Sequence, residues 1–403
     1  MKKEPKRFDL NKEPKRCPKA LSFLKAIYAN APFKKHNVKL EKIRMEGIKP
    51  PYFLLCNHNA IFDTHVAIKA LGKAHANFVV AIDGYIGREG FMRTIGCICK
   101  RKFTDDLYLP IQLRKVIKKG NIAVIYPEAR YSLCGTTALL PQSLGKLAKF
   151  LKVSLVTLIC HGHHINSPFW DTSHDRNVKG TKATFKVLLS SKEVNEKSYE
   201  EINELILKEF QYDDFKWQKE NKIEVKDKNR AQYLHKVLYK CPHCGTEYEM
   251  SSSGTILKCD HCGKTWEMSK YGELKATSGK TEYSHIPDWY EWERQCVRKE
   301  IDAGTYSSGK LPVQVDSLPN ADAYVDIGKG YLIHDMNGFH VETVDKDNDT
   351  HVMDKPVYST YSVHIEYQYL FKKGDCVDLN TLDDTWYVYP EGKNFSVTKM
   401  ALA

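Results

Sequence analysis

Two cysteine pairs of the same form constrain this chain more than any other feature. They are Cys241-Pro242-His243-Cys244-Gly245 and Cys259-Asp260-His261-Cys262-Gly263, a C-x2-C, a fourteen-residue gap and a second C-x2-C. Each pair puts two thiolates on one tight turn, which the following glycine permits, and four thiolates fill every position of a tetrahedral Zn²⁺. The spacing therefore predicts a structural zinc on Cys241, Cys244, Cys259 and Cys262, with His243 and His261 inside the knuckles and off the metal. Such a site folds a module of about thirty residues that could not bury a core alone. The other eight of the twelve cysteines are scattered without pattern, which fits a reducing cytoplasm better than a disulfide framework.

Around that module, 403 residues are enough for two or three domains, and 42% hydrophobic with 28% charged residues is the mix of folded protein. The net charge of +11 is local, because residues 1–50 hold 15 Lys or Arg against 5 Asp or Glu. A basic end of this kind expects an anionic surface, either lipid headgroups or nucleic acid. The repeat Lys3-Glu4-Pro5-Lys6-Arg7 and Lys12-Glu13-Pro14-Lys15-Arg16 predicts a flexible arm. Ala20, Phe23, Leu24, Ile27 and Tyr28 then form the apolar stripe of an amphipathic helix, suited to its own core or to a membrane surface. No run approaches the roughly 18 to 20 apolar residues of a bilayer span, and the first residues lack a secretory signal. The expectation is a cytoplasmic protein, peripheral on the inner face of a membrane with anionic lipid. The cysteine module carries no excess of Lys over Asp and Glu, so nucleic acid is the weaker candidate partner.

The pattern along the chain predicts an α/β domain over 40–230, a zinc ribbon over 236–272 and a β-sandwich or barrel over 283–403, behind the arm and helix of 1–39. In the first of these, Tyr52 to Cys56, Phe78 to Ile82, Ile122 to Tyr126 and Leu155 to Cys160 read as strands, with helices over Gln112 to Lys119 and Gln142 to Leu151. Ser198, three residues before Glu201, reads as the cap of a helix reaching Phe210, followed by a charged connector over Lys216 to Asn229. Near the C-terminus Tyr361, Val363, Ile365, Tyr367, Tyr369 and Phe371 alternate with polar residues. Turn signals recur at Asn337-Gly338, Lys373-Gly374-Asp375 and Pro390-Glu391-Gly392.

Chemistry concentrates at strand ends. Asn57-His58-Asn59-Ala60-Ile61-Phe62-Asp63 places a histidine and an aspartate five apart after the first strand. The carboxylate can hold one imidazole nitrogen as N–H and leave the other free to take a proton from a hydroxyl. Gly96-Cys97-Ile98-Cys99-Lys100-Arg101 brings a cation after a short strand, and Tyr126-Pro127-Glu128-Ala129-Arg130-Tyr131-Ser132 follows another. In an open α/β sheet these clusters converge on one crevice. The run His161-Gly162-His163-His164 reads as crevice or surface histidines and not as a metal site.

These clusters, in this order, resemble the glycerolipid acyltransferase family that includes the lysophosphatidic acid acyltransferases. The N-H-x4-D motif is matched at Asn57, His58 and Asp63, and G-x-I-x-x-R at Gly96, Ile98 and Arg101. F-P-E-G-T-R-S is matched loosely at Tyr126, Pro127, Glu128 and Ser132, with Ala129 for glycine, arginine one place early at Arg130, and Tyr131 in its usual place. Thr157 stands where a fourth motif has proline. The resemblance covers residues 40 to 210 and implies His58 as general base, Asp63 as its orienter, and Arg101, Glu128, Ser132, Asn57 and Gly96 as acceptor contacts, Arg101 for a phosphate. It implies direct attack by the sn-2 hydroxyl of lysophosphatidic acid on an acyl-CoA or acyl carrier protein thioester. The changed third motif leaves room for another lysolipid or a glycolipid. The ribbon and β-rich tail resemble C-terminal extensions of some bacterial members.

Overall fold

The computed structural model describes residues 6–18, 21–359, 361–370 and 373–403. Seven strands, β1 (Lys39–Ile43), β2 (Tyr52–Cys56), β3 (Ala76–Ala81), β4 (Ile98–Lys100), β5 (Ile122–Ile125), β6 (Ser154–His161) and β7 (Lys182–Leu189), form one sheet in the order β1-β7-β6-β2-β5-β3-β4. From β6 through β4 every pairing is parallel, and β7 runs antiparallel to β6. Every residue of β2 is buried, as a central parallel strand covered on both faces requires. Its side chains alternate between two cores. Phe53 and Leu55 join Leu113 and Val116 of helix Tyr108–Lys118, while Leu54 and Cys56 join Val66 and Ala67 of helix Phe62–Leu71. Because β2 to β6 are parallel, the loops that follow them open on a single edge. The helix Tyr199–Glu209 starts on Ser198 through a capping box with Glu201, as its spacing predicts.

Four short strands build the ribbon, β8 (Met250–Ser253), β9 (Ile256–Cys259), β10 (Thr265–Met268) and β11 (Leu274–Ala276), all antiparallel. The predicted sandwich or barrel over 283–403 is different in form. It opens with a helix, Ile286–Asp302, that the strand-and-turn reading missed, although Trp289, Tyr290, Glu293 and Val297 recur on its buried face. The strands β12 (Leu311–Ser317), β13 (Val325–Asp335), β14 (Gly338–Val344), β15 (Thr350–Pro356), β16 (His364–Tyr369), β17 (Gly374–Asn380) and β18 (Thr385–Pro390) then make one antiparallel sheet. Its order is β15-β14-β13-β12-β18-β17-β16. The glycines of the turn signals before β14 and β17, Gly338 and Gly374, have φ of 109° and 111°, which a side chain would resist. Phe371, expected in the same alternation, lies outside the described residues.

One hydrophobic core runs from Trp170 and Phe215 of the α/β unit through Leu257 and Trp266 of the ribbon to Trp289 and the C-terminal sheet. The three predicted domains are therefore packed as one body. The charged connector takes part: it begins inside helix Asp214–Glu220, and Val225 is buried.

The N-terminal arm also departs from expectation. Lys3, Glu4 and Pro5 lie outside the described residues, but residues 6–18 are packed. Phe8 is buried 5.4 Å from the Tyr85 ring with the Arg93 guanidinium 4.5 Å over its face, and Asn77 donates to the Lys15 carbonyl at 2.8 Å. An aromatic anchor and side-chain donors to the backbone outweigh the charge and proline that argued for a free chain. The helix that follows spans Ser22–Lys35, with Leu24, Ile27 and Tyr28 exposed. Ala20 lies outside the described residues, and the side chain of Phe23 is likewise not described. Among the described residues no helix is long and apolar enough to cross a membrane.

Candidate active site

The loop after β2 carries His58 into a cavity of about 1260 Å³, larger than the roughly 300–1,000 Å³ of ordinary small-molecule sites. Its walls are mainly apolar, including Ile61, Phe78, Phe91, Leu107, Leu144 and Phe150, with Lys100, Lys102 and Arg130 among the polar lining. The His58 ring lies between Tyr126 and Tyr131, at centroid distances of 4.3 and 4.2 Å. Nδ1 faces Asp63 Oδ2 at 3.4 Å, and Nε2 makes no hydrogen bond to the described residues. With the proton on Nδ1, Nε2 offers its lone pair to the cavity.

Asp63 is buried in the first turn of helix Phe62–Leu71, where the helix dipole favours a negative charge. Its Oδ2 also accepts the N–H groups of Asn59 at 2.5 Å and Ala60 at 2.9 Å, and its Oδ1 meets His163 Nδ1 at 2.5 Å. Burial pushes the carboxyl up, but hydrogen bonds from His163 and His58 prevail and hold it down at about 2. A carboxylate with a lowered pKa stabilises the fold above its ordinary value and loses that contribution in acid. The unfolding free energies of the wild type and Asp63→Asn should therefore differ by about 2 kcal/mol more well above pH 3.8 than in acid, the excess disappearing as the pH falls through about 2. A pH-independent difference would refute this.

Asn57 of the first motif and Glu128 and Ser132 of the third hold the histidine loop and are not part of the cavity lining. Asn57 is buried and bridges Cys160 on β6, donating to its carbonyl at 2.9 Å and accepting from its N–H at 2.8 Å. Glu128 is fully buried, with its carboxylate taking the His58 N–H at 3.0 Å, the Ala138 N–H at 2.8 Å and the Tyr212 hydroxyl at 2.9 Å. Burial raises its pKa to about 7 against those donors. Ser132 gives its backbone N–H to the His58 carbonyl at 2.9 Å, while its hydroxyl donates to the Thr136 carbonyl at 2.6 Å. The structure thus places Asn57, Glu128 and Ser132 in support of His58, outside the cavity lining.

Gly96, Ile98 and Arg101 of the second motif also lie outside the cavity lining. Gly96, with φ 91°, is a turn into which a Cβ would clash with the Lys15 carbonyl at 2.5 Å and Asn77 Nδ2 at 2.6 Å. Arg101 is 1% exposed, and its guanidinium donates to Leu318 O, Thr385 Oγ1, Pro319 O and Asp383 O at 2.6–3.1 Å. It fastens β4 to the C-terminal sheet and is not open to a phosphate. Arg101→Met should cost about 3 kcal/mol or more, because it removes four hydrogen bonds to a charged group, two of them to the buried carbonyls of Leu318 and Pro319. Calorimetry would show this as a lower Tm; an unchanged Tm with a raised acceptor KM would restore the phosphate role.

Arg130, read from sequence only as a displaced arginine, does line the cavity. It spends Nη1 on the Val363 carbonyl at 3.1 Å, and its other N–H groups make no hydrogen bond to the described residues. The left-handed Ala129, φ 55°, occupies the place where the family has glycine. Tyr212 is not marked by any sequence signal, and His163, expected as a crevice or surface histidine, and Tyr126 and Tyr131, named only within the third motif, take roles that the sequence does not show. The one available signal was that His163 stands at another parallel strand end, after β6. It is fully buried on Asp63, neither on the surface nor in the cavity wall.

The two cysteine pairs form matching knuckles. Gly245 and Gly263, at φ 80° and 76°, return their N–H groups to the Cys241 and Cys259 carbonyls at 2.9 Å. Sulfur separations are 3.9 Å for Cys241 to Cys262 and 3.8 Å for Cys244 to Cys259. A tetrahedron with bonds of about 2.3 Å has edges of about 3.8 Å, so the donor set fits zinc. Neither histidine joins it, and His243 faces Glu282 at 3.2 Å.

No protein-family model matches the chain, and no curated protein matches it. Among solved structures it is similar to the crystal structure of the 1-acyl-sn-glycerophosphate (LPA) acyltransferase PlsC from Thermotoga maritima, at 14% identity and a TM-score of 0.37, over 48% of this chain and 76% of that one. A likeness of that extent carries no argument about activity, which rests on the residues themselves.

Proposed function

We propose that the protein is an O-acyltransferase that moves a fatty acyl group from an acyl-CoA or acyl carrier protein thioester to the sn-2 hydroxyl of a lysophosphatidate-type lipid. The observation that carries this reading is His58: a base oriented by a buried carboxylate, at the polar part of a cavity whose other walls suit alkyl chains. His58 Nε2 removes the proton as the acceptor oxygen attacks the thioester carbonyl. The C–S bond breaks as the ester forms, and the leaving sulfur receives the proton back. No acyl-enzyme is needed, because among the described residues no serine hydroxyl or cysteine thiol is hydrogen-bonded to the ring of this histidine. Arg130 is the group we assign to the acceptor's phosphate, since its remaining donors suit a bidentate anion.

Access from a lipid surface is supported by the cavity's rim. Leu24, Tyr28, Ile61, Phe91 and Leu107 are exposed and line it, beside Lys25, Arg88 and Lys146. Apolar side chains among cations fit an anionic interface. Leu107, 82% exposed, is the most prominent. Leu107→Asp should weaken sedimentation with anionic vesicles about tenfold and leave the Tm unchanged; equal sedimentation would count against this face. Zinc on the four cysteines is assigned a structural role, with no open position for substrate.

The deciding experiment incubates purified protein with labelled acyl-CoA or acyl carrier protein and lysophosphatidate, and follows labelled phosphatidate. Arg130→Gln should raise the acceptor KM by about 10- to 100-fold with a smaller change in kcat. No transfer from either donor to any lysolipid would end the proposal.

A further inference from the structure

The cavity that holds His58 has a second polar wall, supplied by the C-terminal sheet. Strand alternation places His364 and Glu366 of β16 on one face, and both line the cavity. A register irregularity between Glu366 and Tyr369 turns Tyr369 into the same space. Glu366 Oε1 is held by His364 Nε2 at 2.8 Å, and His364 is itself fixed by burial at 1% side-chain exposure. The Glu366 side chain remains 15% exposed, and its Oε2 makes no hydrogen bond to the described residues. The α/β unit completes this end of the cavity with Arg130 and with Lys102, whose Nζ lies 3.8 Å from Asp83.

Glu366 is half-buried on this edge strand, and its carboxylate, with one oxygen unused, belongs to the wall of the space where the acceptor's polar end would lie. The surrounding charges narrow what it can meet. Lys102 and Arg130 oppose an ammonium group, and Glu366 with Asp83 and with Asp378, which lies 4.0 Å from Lys102 and 3.8 Å from His364, opposes a second phosphate. A neutral hydroxyl donor satisfies both constraints.

We propose that Glu366, positioned by His364, reads the acceptor's headgroup, and that the acceptor is a lysolipid whose phosphate bears a hydroxylated polyol or sugar. This rests on the acyltransferase reading for its consequence, but binding tests it without turnover. Calorimetric titration of the full chain, with no acyl donor present, would use short-chain lysophosphatidate, lysophosphatidylglycerol and lysophosphatidylinositol below their micelle concentrations. Wild type should bind at least one of the hydroxylated lipids about 10- to 100-fold more tightly than lysophosphatidate. Glu366→Gln should abolish that preference and leave lysophosphatidate binding within about twofold, since a single hydrogen bond to a charged group is removed.

Equal wild-type affinities for all three lipids would overturn the proposal, as would a parallel loss for all three in the variant. If Glu366→Gln fails to fold, Glu366→Asp supplies the same comparison with the charge kept. A failure of acyl transfer to every acceptor alongside an intact binding preference would sink the enzymatic reading and leave the headgroup site standing.

Discussion

His58→Ala is expected to lower acyl transfer by about 10²- to 10⁴-fold in a protein that still folds and still binds acceptor. The expectation depends on how the structure divides this residue's duties. Its structural contacts run through the backbone: the N–H to Glu128 and the carbonyl from Ser132, both kept by alanine. The ring leaves the Tyr126 and Tyr131 contacts, a packing loss of about 1–2 kcal/mol. Asp63 keeps the Asn59 and Ala60 N–H groups and His163, so no buried charge is stranded. Initial rates beside urea unfolding would separate the two effects. Near wild-type turnover in His58→Ala would remove the general-base role outright.

Removal of the metal should have the larger effect on stability. Four strands of three or four residues cannot sustain a core, and an emptied site leaves four thiols crowded within 4.8 Å. Structural zinc contributes apparent binding energies of about 10–16 kcal/mol in small modules, and folding is coupled to that binding. The loss would not stay local. Trp266 of β10 packs edge-on against Trp289 at 5.0 Å, and Trp289 donates to the Lys240 carbonyl at 3.0 Å. On the other side Gln218 donates to the Lys270 carbonyl at 3.0 Å, and Phe215 lies against Gly272. Asp214, next to Phe215, accepts the His164 N–H at 2.9 Å, one residue from the histidine on Asp63. Chelation, or Cys259→Ser, should therefore lower the Tm steeply and reduce transfer together. Metal analysis should find one zinc per chain in the protein as purified. A chelated, zinc-free protein with an unchanged melting curve would refute the coupling.

The features legible in the sequence were those set by local chemistry. The cysteine spacing described both knuckles, because a C-x2-C turn and its glycine are decided within five residues. Strand β2 was readable as an unbroken apolar run, and the Ser198 helix by its cap. His58 and Asp63 were readable because both contribute to one turn. The Ile286–Asp302 helix was missed because strand-like stretches around it dominated the reading, and the packed arm because one buried Phe8 outweighs a charged, proline-bearing repeat.

By itself, then, the sequence determined the four-thiolate cluster, the α/β order and the pairing of His58 with Asp63, all governed by contacts within a few residues. Only the tertiary structure decided what the other motif residues do. A guanidinium after a strand can meet a ligand or a neighbouring sheet, and Arg101 meets the carbonyls of Leu318, Pro319 and Asp383, more than two hundred residues away. The same packing withdraws Asn57, Glu128 and Ser132 behind the histidine and brings Arg130 and Glu366 to the cavity in their place. Desolvation explains the sorting: a buried polar group must find partners inside the protein, and which partners are in reach depends on how distant segments pack.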